Sequence, residues 1–367
     1  MVLNLLSIHN LRNIQAASIE PCERLNLIYG ANGSGKTSLL EAIYLLGRGK
    51  SFRSAYSRRI VRHDQDELTV FAKIHSADGG NHSLGVQIKA GRIRAKADGL
   101  YEQKSSNLAQ LLPLLLISPD GDKLIKGSPR QRRRFLDWGL FHVEHEFLGV
   151  WQRYNRLLYQ RNTLLRQRKR EMLPPWDSQL VEVVNRLDRF RKDYVTILTQ
   201  QAKQILTRLL EIDGLEFRYL PGWPGAEDYG SALQQSLESD LKVGFTQRGP
   251  HRADLSLKVE GRAAAEVLSG GQQKLAACAL LLAQASVFNQ RKQENCVILV
   301  DDLPAELDTL HRHAFMALLY SIGGQLFVTV TDRHLLDVTS FPERRMFHVE
   351  HGQITLKKED GEQSNRV

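Results

Sequence analysis

An α/β fold with a mixed β-sheet, interrupted by a helical second lobe with a short antiparallel helical arm, is predicted by three observations. Two apolar runs, RLNLIYG and CVILVDD, lie far apart in the chain and read as buried strands, one ending in glycine and the other in carboxylates. Between them, over about 119–243, the texture changes to helix formers with apolar residues at helical spacing. The stretch GANGSGKT sits directly after the first of those strands and ahead of a helical pattern.

The bulk composition fits this class. Of 367 residues, 42% are hydrophobic and 25% charged, as in an ordinary globular protein. No apolar run approaches the ~20 residues needed to span a bilayer, so no membrane partner is expected. The start, MVLNLLSIHNLRN, lacks the basic region, apolar stretch and cleavage site of a signal peptide. Cys22, Cys278 and Cys296 are too scattered for a disulfide framework or a metal knuckle, which implies a reducing, cytoplasmic setting. A net charge of +9 points to a polyanionic partner.

The elements follow in order. LNLLSIHN, QAASIE and RLNLIYG read as strands, and a helix runs from Lys36 to about Leu46. ELTVFAKIHS, SLGVQIKA and RIRAKA alternate as antiparallel strands between glycine-rich turns, and PLLLIS is a short buried strand. One long helix is expected from PRQRRRFLDW through LLRQRKRE. LPPW breaks it, and SQLVEVVNRL begins a second. At 1.5 Å per residue, roughly 30 residues of helix make an arm about 45 Å long. Strand texture returns after LEFRYLPGW with HRADLSLKV and CVILVDD, then a helix near His311–Ile322 and the strand QLFVTVT. The head is therefore expected at 1–118 and 244–357, the helical lobe and arm at 119–243, and a polar tail at 358–367. The echo HVEH, at His142–His145 and His348–His351, reads as surface histidines, since no third metal ligand is specified.

The chemistry is carried by four stretches. Gly30, Ala31, Asn32, Gly33, Ser34, Gly35, Lys36 and Thr37 satisfy the phosphate-loop pattern in its required strand–loop–helix setting. Backbone amides of Asn32 to Lys36 would surround a β-phosphate, Lys36 would reach the β- and γ-phosphates of ATP, and the Thr37 hydroxyl would ligate Mg²⁺. Asp301 is placed to hold the Mg²⁺ shell. Asp302 is placed to orient or deprotonate the attacking water. A second stretch, Ser269, Gly270, Gly271 and Gln272 within LSGGQQK, opens a helical run and has the composition of an anion-binding helix N-terminus. Asp308 follows in AELD.

Phosphate loop, LSGGQ, LVDD and ELD, in this order, resemble an ATPase head of the ATP-binding-cassette (ABC) type. The resemblance implies that the signature Ser269, Gly270 and Gly271 bind the γ-phosphate held by a second copy, that Asp308 lies in the loop crossing that interface, and that ATP closes a homodimer. In transporter ATPase subunits, the rival reading, the loop and signature stand much closer together than Lys36 and Ser269 do here. SMC-type proteins insert far more chain, and the related double-strand-break ATPases carry a CxxC hook that is absent. An arm of this length, with PDGDKLIKGSPRQRRRFLD, TQRGPHRADL and IHNLRNI, is similar to the RecF family over nearly the whole chain. That likeness implies a cytoplasmic, ATP-dependent DNA-binding clamp of recombinational repair, replication-gap processing and the SOS response. It implies partners of the RecR and RecO type that help load recombinase, and a weak, DNA-stimulated ATPase. Thr331-Asp332 stands where transporters carry a phosphate-sensing histidine, consistent with slow hydrolysis. Gln103 and Gln110 are both candidates for the glutamine linking the lobes.

The basic residues suggest where DNA binds. Arg153, Arg156, Arg161, Arg166, Arg168, Lys169 and Arg170 run along the arm with no acidic residue among them, which favours phosphate contact over internal ion pairs. Arg130, Arg132, Arg133 and Arg134 either join that surface or hold structure together. With no recognition helix evident, binding to duplex or gapped DNA should be sequence-independent.

Overall fold

The computed structural model describes residues 1–76, 79–210, 212, 214–224 and 228–357. The tail expected at 358–367 lies outside them. The chain divides into two compact units, Met1–Gly121 with Phe288–Val367, and Asp122–Val287. The first division, at 121/122, lies beside the change of texture read at about 119. The second falls at 287/288, downstream of the 244 read from the sequence.

Along the chain the elements begin with β1 (Val2–Leu11), β2 (Ile14–Ile19), β3 (Leu25–Tyr29) and α1 (Lys36–Arg48). Next come β4 (Glu67–His75), β5 (Asn81–Lys89), β6 (Arg92–Ala97), β7 (Leu100–Glu102), α2 (Ser105–Leu111) and β8 (Leu114–Ile117). The second unit contains α3 (Lys123–Lys126), α4 (Pro129–Val143), α5 (Phe147–Arg166), α6 (Pro174–Leu209), β9 (Leu215–Leu220), α7 (Tyr229–Gln235) and α8 (Leu237–Val243). It continues with β10 (Asp254–Val259), β11 (Arg262–Ala263), α9 (Ala264–Val267) and α10 (Gly270–Lys292), whose last residues lead back into the first unit. There β12 (Val297–Val300), α11 (Thr309–Ile322), β13 (Leu326–Val330), β14 (Arg344–Glu350) and β15 (Gln353–Lys357) complete the order.

The first unit has two sheets. One is antiparallel, in the order β2-β1-β4-β5-β6-β7; the other is mixed, β15-β14-β3-β13-β12-β8, with only β15 antiparallel to its neighbour. Helix α1 packs against strands of both. Leu39, Leu40, Ile43 and Leu46 of α1 share one core with Leu6, Val70, Val86, Leu299 and Phe327. This arrangement accounts for the two strand textures. Strands β12 and β13, covered on both faces, are buried at every position, whereas β4 and β5 alternate because one face meets water. The β14–β15 hairpin was not read from the sequence. His348 sits on β14 beside β3, its ring 5.1 Å from that of Tyr29. The other HVEH contains His142, which is buried on α4, so the surface reading fails for that residue.

In the second unit, the first limb expected as one helix is two, α4 and α5, interrupted at 144–146. Ser128 and Gln131 form a capping box that starts α4, with Pro129 at its first position. Helix α6 is 36 residues long, about 54 Å at the standard rise, and packs against α5. The small sheet β11-β10-β9 belongs to this unit because β10 packs on α4 and β9 on α6. That packing carries HRADLSLKV, expected in the head, into the helical unit.

Candidate active site

The phosphate loop joins the carboxyl end of β3 to α1. In the sheet, β13 separates β3 from β12, and all three run parallel, so the loops after them meet at one edge. Gly30, Gly33 and Gly35 have φ of 152°, 77° and 124°, values that only glycine adopts without strain. At Gly30 a side chain would also strike the carbonyl oxygen of Val349, 2.2 Å from an added Cβ. Lys36 is buried, and its Nζ donates to the carbonyls of Gly30 (2.9 Å) and Ala31 (3.2 Å), holding the ammonium inside the curve of the loop.

The loop is gripped from behind. Asn13, in the turn between β1 and β2, donates through Nδ2 to the carbonyls of Ser34 (2.7 Å) and Gly33 (3.3 Å) and accepts from the Ser38 hydroxyl. The Gly352 amide, in the turn between β14 and β15, donates to the same Ser34 carbonyl at 2.8 Å. A trans peptide points its N–H opposite its C=O. Two donors fixing the Ser34 carbonyl on the outside therefore aim the Gly35 N–H into the loop.

Thr37 and Asp301 meet directly. The Thr37 hydroxyl donates to Asp301 Oδ1 at 2.9 Å, joining residues 264 positions apart. Thr329, buried on the intervening β13, donates to the same Oδ1 at 3.1 Å and accepts from the Asp302 amide at 2.8 Å. One hydroxyl thus orients both aspartates. Burial pushes the Asp301 carboxyl up; the Thr37 hydrogen bond pulls it down and the Asp302 charge raises it. A hydroxyl and a carboxylate oxygen side by side suit Mg²⁺, which takes one or two protein oxygens and completes its shell with phosphate and water.

Asp302 has left-handed backbone, φ 44°, an uncommon state for a non-glycine residue. Its Oδ1 lies 3.9 Å from Lys36 Nζ and has no hydrogen-bond partner, and the Ser34 hydroxyl is likewise buried without one. The Asp302 carboxylate borders the space that a triphosphate and its water would fill. Lys36, Thr37 and Asp302 line a cleft of ≈ 1640 Å³, whose other wall carries Arg12, Arg53, Arg58, Arg59 and Arg62. The Arg12 guanidinium is held by Glu41 at 2.7 and 2.9 Å, contacts that keep it charged.

The remaining predicted residues are placed as follows. Ser269 precedes α10 as a reciprocal cap: Gln272 N–H donates to Ser269 Oγ (3.3 Å), and Ser269 N–H donates to Gln272 Oε1 (2.9 Å). Nothing lies within 4 Å of a Cβ built on Gly270 or Gly271, so the helix N-terminus is open to close approach. Asp308 is exposed and caps α11, accepting from His311 N at 3.0 Å. Next to its cap stands Leu310, 77% exposed. Neither Gln103 nor Gln110 lines the cleft.

Three of the seven arm cations depart from the expectation drawn from charge. Arg161 is fully buried, bonded to Asp177 (2.7 Å), Asp240 (2.8 Å) and Thr246 (2.7 Å). Arg153 pairs with Glu182 and Arg170 with Glu238. The arm segment has no acids of its own, but they arrive from α6 and α8. Arg132 chelates Asp254 at 2.7 and 2.9 Å, and Arg133 donates to the Ala253 carbonyl at 2.7 Å, so both tie α4 to the start of β10.

The comparisons with known proteins agree with this geometry. Residues 2–355 match the family described as RecF/RecN/SMC N terminal domain. The chain is 42% identical to the DNA replication and repair protein RecF of Pseudomonas fluorescens strain SBW25, over 97% of this chain and 98% of that protein. It belongs to the RecF family. A solved structure of the recombination mediator protein RecF with ATP, in the RecFOR pathway, superposes with a TM-score of 0.84 at 28% identity, covering 97% of each chain. An Smc head, 16% identical with a TM-score of 0.62 over 98% of both chains, shares the ABC-type ATPase fold alone. Among the described residues of this RecF-family chain, no helix is long and apolar enough to cross a membrane. Sequence reasoning about this RecF-family site missed Asn13, Thr329 and Gly352. Asn13 lies inside IHNLRNI and Thr329 inside QLFVTVT, but only the strand pairing shows what each one touches.

Proposed function

We propose that the chain is an ATP-dependent DNA-binding clamp of recombinational repair and replication-gap processing, which dimerises on ATP and helps load recombinase with RecR- and RecO-type mediators. The Thr37–Asp301 hydrogen bond carries the reading, because it assembles a phosphate loop and a metal carboxylate from opposite ends of the chain. Bound Mg²⁺ would neutralise phosphate charge. Lys36 holds the β- and γ-phosphates, Thr37 and Asp301 provide the metal's protein oxygens, and Asp302 orients or deprotonates the attacking water. Hydrolysis is slow, suiting a switch, since Thr331-Asp332 offers no histidine at the end of β13.

The open Gly270–Gly271 face and the exposed Asp308 and Leu310 support a sandwich in which each signature reads the other copy's γ-phosphate. The transporter-subunit alternative is not favoured by the family match or by the inserted helical arm. The protein acts in the cytoplasm on duplex or gapped DNA without sequence preference, and DNA stimulates a weak ATPase. Light scattering of Asp302→Asn with ATP and Mg²⁺ tests the switch. An accumulated dimer supports it; a monomer that still binds ATP removes Asp302 from the hydrolytic step.

A further inference from the structure

The outer face of the antiparallel sheet in the first unit is predominantly basic. On β6, Arg92, Arg94 and Lys96 alternate with inward Ala95 and Ala97, and all three are exposed. In register across the sheet, Lys89 of β5 stands opposite Arg92. Lys73 of β4 lies on the same outer face, opposite Ser83. Tyr101 of β7, 66% exposed, stands opposite Lys96, whose ammonium lies 4.5 Å from its ring centre. The acidic residue in register on this face is Glu67, already bonded to Lys89 at 3.0 Å. Glu102 pairs with inward Ala95 and accepts from Asn107, so it does not offset the row.

A merely solvated sheet face mixes both signs. Here Arg92 and Arg94 have no acidic partner among the described residues, in contrast to Arg153, Arg161 and Arg170 of the arm. We propose that this face, centred on Arg92, Arg94 and Lys96, binds the phosphate backbone of duplex DNA. Alternate residues of a strand advance about 6.7 Å, so the three cations form a straight row along a polyanion with about one charge per 1.7 Å of axis. The face is open and lacks a reading helix, so it contacts backbone without selecting sequence. This inference rests on the reading that the chain binds DNA and assigns that binding a surface different from the arm tip.

The test compares the full-length protein with Arg92→Ala/Arg94→Ala/Lys96→Ala and with the arm variant Arg166→Ala/Arg168→Ala/Lys169→Ala. The probe is a fluorescent mixed-sequence duplex in ATP and Mg²⁺, titrated across a salt series. The sheet variant is expected to bind at least tenfold more weakly at about 0.1 M salt, with its log–log slope reduced by about 0.9 per lost contact. ATP affinity should be unchanged, and the charge-preserving Arg92→Lys/Arg94→Lys/Lys96→Arg variant should retain the slope. If the wild type binds duplex and the sheet variant keeps the same slope and affinity, the proposal is overturned. Loss confined to the arm variant, or loss of binding to an acidic peptide only, overturns it equally. If wild type binds no duplex in any nucleotide state, the DNA-binding reading itself fails.

Discussion

Thr37 Oγ1 donates to Asp301 Oδ1 at 2.9 Å, and Thr329 bonds the same oxygen from the strand between them. Replacing Thr37 by Val removes one proposed metal oxygen at almost constant volume. ATP affinity should then lose most of its Mg²⁺ dependence, with weakening of about tenfold or more at saturating Mg²⁺, since one charge-assisted contact is worth about 1.5–3 kcal/mol. Calorimetric titration with and without Mg²⁺ checks this; an unchanged Mg²⁺ dependence would remove Thr37 from the metal shell.

The turn between β14 and β15 should matter for nucleotide binding although it follows every recognised motif. Gly352 has φ 80°, and a Cβ there would lie 2.2 Å from the Asn13 carbonyl oxygen. Gly352→Ala should displace both grips on Ser34 and weaken ATP and ADP alike, by about tenfold for a loss near 1.4 kcal/mol. Asn13→Asp keeps the acceptor for Ser38 while losing the donor to Ser34, and should show the same direction with the fold intact. Wild-type affinity in both would separate this turn from phosphate binding.

Arg132 is predicted to stabilise the helical unit and to leave DNA binding alone. Removing it strands Asp254, only 19% exposed, without its bidentate partner. Arg132→Ala should cost about 3 kcal/mol in chemical denaturation, as for other broken part-buried pairs. The salt dependence of DNA binding, measured on the protein that remains folded, should not change; a flatter slope would place Arg132 on the DNA.

Acid should loosen the same unit through His251. Its Nδ1 accepts from Tyr154 OH at 2.6 Å and its Nε2–H donates to the Thr246 carbonyl at 3.0 Å, a pattern that requires the neutral ring. Burial lowers its pKa to about 4. The unfolded chain, with a pKa of about 6.5, binds the proton first, so stability is full above about 6.5 and falls as pH drops toward 4. The loss should reach about 3 kcal/mol. His251→Gln should flatten this part of the pH–stability curve; the same acid loss in that variant would assign it to other groups.

Much of this site was legible because its motifs are local. GANGSGKT needs only its flanking strand and helix, and VDD needs only the buried run before it. Charge partners were not legible in the same way. Arg161 looked free because its acids, Asp177 and Asp240, lie beyond the end of α5, and Arg132 finds Asp254 across 122 positions. The domain boundary moved for a related reason: HRADLSLKV has strand periodicity, but nothing in that periodicity says it packs on α4. Gly352 was hidden because a glycine in a short hairpin usually serves the turn alone.

The composite site is tested most directly by mixing two inactive proteins. Lys36→Ala should lose its phosphate grip, and Ser269→Arg should block its signature, so each homodimer carries two damaged sites. In a mixed dimer, the intact signature of the first faces the intact loop of the second, restoring one site of two. With random pairing at equal concentrations, about half the dimers are mixed and about a quarter of sites are restored. Each mutant alone should fail to dimerise or hydrolyse ATP, while the mixture, with mixed dimers verified by crosslinking, should regain a measurable part of the ATPase rate. Crosslinked mixed dimers with no regained hydrolysis would contradict a signature that reads its partner's nucleotide.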